Sequence, residues 1–149
     1  MAARTPRPRF TIDRDSGLFA AARQVPSPNH NARPAGMRPE LIVVHNISLP
    51  PGEFGGPWID RLFTNQLNPR AHPYFGDIAA LRVSAHLLVR RDGELVQYVP
   101  FHRRAWHAGA SSWQGRENCN DFSVGIELEG TDDGGYTTAQ YRRLAVSIR

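Results

Sequence analysis

Lysine is absent from the 149 residues, so all 18 basic positions are arginine, set against 14 acidic ones for a net charge of +4. The arginines are spread from Arg4 to Arg149, adjacent only at Arg90-Arg91, Arg103-Arg104 and Arg142-Arg143, and they form no basic stripe of the kind that binds nucleic acid. Cysteine is almost absent as well. The single Cys119 excludes an intrachain disulfide and a cysteine-rich zinc site, and it suits a cytoplasmic chain. No apolar run is long enough for a signal peptide or a membrane span, so neither secretion nor membrane insertion is expected. What is present is 40% hydrophobic content in a length that suits one domain, read as a monomer.

The segment around which the chain is organised is 41–48, Leu-Ile-Val-Val-His-Asn-Ile-Ser. Four apolar residues in a row just before a loop rich in glycine and proline predict a strand buried on both faces, with His45 at its end. A histidine placed there is open to two readings: a metal ligand or proton carrier, or a core imidazole satisfied by a backbone carbonyl.

Taken in order, residues 1–15 mix proline and charge without periodicity and are expected to be a loose arm ahead of the domain at 16–149. A short helix is expected over 17–23, and then Pro26 and Pro28 impose an extended path past His30. Pro57 is placed to begin a helix through Phe63, with Trp58, Leu62 and Phe63 facing inward. Residues 65–76 read as a polar connection, carrying His72 and Tyr74, that lines a cleft. Alternation over 83–90 predicts a strand that includes His86, and Asp92-Gly93 closes a hairpin onto a partner at 94–99. Residues 103–120 read as a long surface excursion. Residues 123–129 form a strand with Val124, Ile126 and Leu128 on one face and Gly125, Glu127 and Glu129 on the other. Thr137 and Gln140 make a capping box for a helix from Thr138 that has no stop signal before Arg149.

These elements predict an α/β (mixed α+β) domain, a central mixed β-sheet flanked by helices. A carboxylate in the middle of a strand is costly unless it is used, and Glu127 with the strand histidines His45 and His86 permits metal-assisted hydrolysis. The spacing by itself does not single out that chemistry.

Five stretches carry a resemblance: Val25-Pro-Ser-Pro-Asn, Val43-Val-His-Asn-Ile-Ser-Leu-Pro-Pro-Gly-Glu-Phe, Arg82-Val-Ser-Ala-His, Arg104-Ala-Trp-His-Ala-Gly, and Asn120-Asp-Phe-Ser-Val-Gly-Ile-Glu-Leu-Glu-Gly-Thr. In this order they resemble the zinc N-acetylmuramoyl-L-alanine amidases, a family related in fold to the peptidoglycan-recognition proteins. The resemblance runs from about Gly17 to the last residue. It implies cleavage of the amide between (1,6-anhydro-)N-acetylmuramic acid and L-alanine of the stem peptide, in cell-wall recycling, with anhydromuramoyl peptides as partners. By the same resemblance His45 is a zinc ligand, Glu127 is the catalytic carboxylate, and Asn46, Arg82, Trp106 and His107 fall on substrate-binding positions. Glu129 is read as a solvated strand end and His86 as structural, while His30, His72 and His102 are read as surface or loop residues.

Two departures accompany the resemblance. The family's second zinc histidine, its zinc aspartate and a nearby lysine belong to a segment beyond the last helix, and they are not among these 149 residues. Asn118 stands where relatives carry an arginine. The expectation is an incomplete zinc site in this chain. A muropeptide-binding domain without catalysis is the rival reading, and nucleic-acid binding through the arginines is the third.

Overall fold

In the computed structural model, which describes residues 10–149, the sheet is built outward from β9 (Ser123–Glu129), whose alternating pattern gives it two buried faces. On one side it pairs in parallel with β3 (Leu41–Ile47) and on the other, also in parallel, with β4 (Leu87–Val89). The hairpin then places β5 (Leu95–Gln97) antiparallel to β4, and β1 (Arg23–Gln24) closes the far edge parallel to β5. The strand order is β1-β5-β4-β9-β3, the mixed sheet expected from the sequence. The hairpin turn depends on Gly93, whose φ of 85° most side chains avoid.

Two cores sandwich this sheet. On one face α1 (Trp58–Phe63) and α2 (Phe75–Ile78) cover Leu88, Val96 and Tyr98 with Ile59, Leu62, Phe63 and Phe75. On the other face Phe19 joins Leu87, Val89, Leu95, Ile126 and Leu128, with Tyr136 and Leu144 packed against them. Leu144 belongs to α3 (Thr138–Ser147), which starts with the predicted capping box: Thr137 Oγ1 accepts from Gln140 N–H and Gln140 Oε1 accepts from Thr137 N–H.

Several expectations change. Residues 17–23 form no helix, because Phe19 is buried in the second core, its N–H donates to Gln97 Oε1, and Arg23 continues into β1; an isolated seven-residue helix could not match those contacts. The connection at 65–76 ends in α2, whose Phe75 is fully buried. The regular part of the 83–90 strand is only β4, although His86 extends the ladder by donating to Gly125 O and accepting from Tyr98 N–H. The excursion at 103–120 contains β6 (Arg103–Ala105), antiparallel to β2 (His30–Ala32), and a hairpin of β7 (Ser112–Trp113) and β8 (Arg116–Glu117), turned by Gln114 and Gly115 at positive φ. Of the arm expected at 1–15, residues 1–9 lie outside the described residues, and from Phe10 the chain runs into a turn in which Ser16 donates to Asp13.

The largest change concerns β3. It is an edge strand and is not buried on both faces: Ile42 and Val44 are 45% and 47% exposed, while the alternate residues Val43 and His45 share a face with Gly125 and Glu127 of β9. Its apolar run reflects one packed face and one open one among the described residues.

Candidate active site

Parallel register sets His45 directly beside Glu127, so the sheet itself brings the imidazole and the carboxyl together on one face. The third member comes from the turn after β6. His107 Nδ1 lies 2.9 Å from His45 Nε2, with the two rings nearly edge to face. A hollow of about 260 Å³ opens on this pair, lined among others by Leu41, Val43, Ser111 and Trp113. Beyond the end of β3 a second hollow of about 420 Å³ is lined by Asn46, Leu49, Tyr74, Leu81 and Asp132, which agrees with the reading of the 65–76 connection as a cleft wall.

Burial sets the electrostatics. Glu127 is 8% exposed, its Oε2 has no hydrogen-bond partner, and desolvation pushes its carboxyl up to about 8. The same cause lowers His45, and it takes His107 down to about 3 with help from the His86 and His45 imidazoles. Near neutral pH the site therefore combines a carboxyl that holds a proton with two neutral imidazoles.

The other predicted residues occupy separate places. Asn46 Nδ2 donates to Asp132 Oδ1 at 2.7 Å at the rim of the second hollow. Trp106 is held by its backbone N–H to Ser84 Oγ and by its indole N–H to Asn31 of β2, which leaves it partly exposed at the β2–β6 pair. Arg82 is exposed and turns back on its own loop, donating to the Ala80 and Leu81 carbonyls. His86 is fully buried and structural in its bonding: Nδ1 accepts from Gly125 N–H, and Nε2 lies 3.0 Å from Arg103 O. Burial holds it neutral, near 4.

Glu129 is not a solvated strand end. It is 2% exposed and accepts from the backbone N–H groups of Gly55 and Arg91 and from the Arg90 guanidinium, which ties the 50–57 loop to the hairpin. A hollow of about 560 Å³ lies at this end, and most of its charged lining is paired internally, with Arg23 on Asp60 and Glu94 and Arg90 on Asp60 and Glu129.

Residues to which the sequence reading gave no role complete the setting. Asn120 Oδ1 accepts from the backbone N–H groups of both His107 and Ala108, and Ser123 Oγ lies 3.0 Å from His107 Nε2. A Cβ at Gly125 would overlap the His107 ring, so that strand glycine is required by close approach, a signal that a lone glycine inside an apolar strand does carry. Arg33 donates to the Asn120, Asp121, Phe101 and Ser123 carbonyls, fixing the backbone below His107.

As a metal site this arrangement is partial. His45 Nδ1 makes no hydrogen bond among the described residues and Glu127 Oε2 is orphaned, both of which suit a site built around a further group. Yet no group of three or more His, Cys, Asp or Glu able to hold a metal occurs among the described residues. The residues present fit one ligand position and do not complete the set that zinc requires.

Comparison with known proteins gives a consistent picture. The family model described as N-acetylmuramoyl-L-alanine amidase matches residues 35–149. A relative from Citrobacter freundii, 1,6-anhydro-N-acetylmuramyl-L-alanine amidase AmpD, is 70% identical over 131 residues, which is 88% of this chain and 70% of the relative. The protein of the same description from Escherichia coli K12 is 66% identical over 135 residues, covering 91% of this chain and 74% of its own length. Among solved structures, the crystal structure of a selenomethionine AmpD derivative superposes with a TM-score of 0.88 at 68% identity, covering 91% of this chain and 74% of that one.

Proposed function

Since this chain belongs to the N-acetylmuramoyl-L-alanine amidase family, we propose that it acts on 1,6-anhydromuramoyl peptides, cleaving the amide between the anhydromuramic acid and L-alanine in cell-wall recycling. Residues 16–149 form the amidase domain in this reading, working in the cytoplasm as a monomer. The observation that carries the proposal is the buried, unpartnered Glu127 carboxyl set beside His45 by strand register.

Amide hydrolysis needs a group that takes a proton from water and returns one to the leaving amine. Glu127 is suited to both, because burial raises its carboxyl to about 8, where proton uptake and release are balanced near neutral pH. The neutral His107 meets His45, the imidazole that strand register sets beside Glu127. Asn46 and Tyr74, which line the second hollow, would contact the muropeptide in this reading, with Trp106 and Arg82 as outer contacts; a guanidinium suits a stem-peptide carboxylate.

Zinc, when bound in this family, supplies a Lewis acid and a water of lowered pKa. His45 would be one of its ligands. No complete donor set exists among the described residues, and that observation favours a second reading for these 149 residues alone: muropeptide binding without cleavage. The two separate in one experiment. Purified chain is dialysed, its zinc content measured, and its action on an anhydromuramoyl peptide followed with and without chelator. Chelator-sensitive release of the stem peptide supports hydrolysis, whereas muropeptide affinity that is indifferent to chelator, with no release, supports binding only.

A further inference from the structure

Between two paired stretches the main chain at 107–110 has little to hold it. Backbone pairing stops at Trp106, whose carbonyl accepts from Ser84 N–H, and resumes at Ser111, whose carbonyl accepts from Asn118 N–H. Among the described residues, the main-chain N–H groups in between that find a partner are those of His107 and Ala108, and both find it in Asn120 Oδ1, at 3.1 and 2.9 Å. Two donors meet one oxygen only where successive N–H groups point the same way, and here the bend leads into Gly109, whose φ is 52°.

Asn120 is itself fixed. It is 6% exposed in the 3-10 turn Cys119–Asp121, and the Arg33 guanidinium donates through Nη1 to the Asn120 and Asp121 carbonyls and through Nη2 to those of Phe101 and Ser123. That planar fork joins the approach to β6 and the approach to β9. The two turns also form a wall, since His107, Ala108 and Cys119 line the hollow of about 260 Å³ beside His45. The geometry points to Asn120 as a positioning residue: with Arg33 beneath it, it sets where the 107–110 segment stands and hence the shape of that hollow. Its use rests on the amidase reading, in which the hollow adjoins the reacting groups, and it deepens that reading.

Amide hydrogen exchange of the 149-residue chain, followed by NMR, tests the assignment without substrate. In the wild type the His107 and Ala108 amides should be protected while those of Gly109 and Ala110 exchange freely; all four exchanging alike overturns the proposal. Asn120→Ala should speed exchange at His107 and Ala108 by roughly 10-fold, the scale of one hydrogen bond, relative to Val96 and Ile126 in the sheet, which report any loss of global stability. Asn120→Asp keeps an acceptor oxygen in place and should bring both amides back to within roughly threefold of wild type. Unchanged exchange in a folded Asn120→Ala sinks the idea, as does an aspartate variant that exchanges as fast as the alanine one. If Asn120→Ala fails to fold, Arg33→Lys, which keeps the charge but not the fork, takes its place with the same expected direction. Affinity for an anhydromuramoyl peptide should drop by roughly 10-fold in Asn120→Ala, and equal affinity shows a merely structural bond and removes the positioning role. A chain that neither binds nor cleaves that peptide, yet shows the expected exchange pattern, overturns the amidase reading and leaves the assignment of Asn120 standing.

Discussion

Glu127 and Glu129 sit two residues apart on the same face of β9, both nearly inaccessible at 8% and 2%. Burial is therefore not what separates them. Glu129 receives two backbone N–H groups and the Arg90 guanidinium, a full set of partners for a carboxylate. Glu127 has an oxygen with none among the described residues, so nothing offsets the desolvation that raises its carboxyl to about 8. The comparison teaches that partners, and not burial, separate a carboxylate that holds the fold together from one left free to exchange a proton.

The contrast predicts opposite phenotypes, and the largest effect belongs to architecture. Glu129→Ala removes the acceptor shared by the Arg90 guanidinium and the Gly55 and Arg91 N–H groups, so a loss of about 3 kcal/mol in unfolding free energy is expected by denaturant titration. A loss below about 1 kcal/mol would erase the distinction between the two residues. Glu127→Gln should do the reverse: a folded chain, and, in a form able to turn over muropeptide, a rate lower by roughly 100-fold or more. Near-normal turnover would remove Glu127 from the mechanism.

The same pair differs in pH dependence. Glu127 has a folded value of about 8 against an ordinary value of 4.5, so its stabilising contribution is complete below about 4.5 and is lost as pH rises through 8. Between those limits the unfolded state has released the proton that the folded state keeps. Wild-type minus Glu127→Gln stability in the metal-free chain should thus fall by up to about 1.4 kcal/mol per pH unit across this window. A flat difference would show that Glu127 has found a partner in solution.

A smaller effect is expected at Arg82, which is exposed and, among the described residues, bonded only to its own loop. Arg82→Ala should weaken muropeptide binding by about 1.5–3 kcal/mol if its guanidinium meets a stem-peptide carboxylate, and calorimetry with a peptide lacking that carboxylate should show no such loss. The smallest effect concerns what steadies the Glu129 end from behind. Gln140 donates to Glu129 O and Val89 O as well as closing the capping box, so Thr137→Ala should cost about 1 kcal/mol, read from the denaturation midpoint, without touching the Glu127 phenotype.

Local signals made much of this legible in advance. The β9 alternation, the Asp92-Gly93 hairpin and the Thr137 capping box each depend on neighbouring residues alone, and each appears where expected. The ordered motifs carried His45 and Glu127 onto one family's pattern. The helix expected at 17–23 failed because Phe19 and Gln97, 78 positions apart, prefer one another. β3 was misread as doubly buried because an apolar run is the same string of letters whether a strand lies inside a sheet or at its edge.

The sequence alone determined β9 with its two faces, the Asp92-Gly93 hairpin and the start of α3, since these follow from side-chain periodicity and short-range turn and cap chemistry, and its ordered motifs pointed to the family. Only the tertiary structure decided which of the two glutamates finds partners. That choice depends on Gly55, Arg90 and Arg91 arriving at Glu129 while none of them reaches Glu127, and on His107 crossing Gly125 to meet His45. Such partners are distant in the chain, and the free energy of a buried polar atom is set by who reaches it rather than by the residue's own identity.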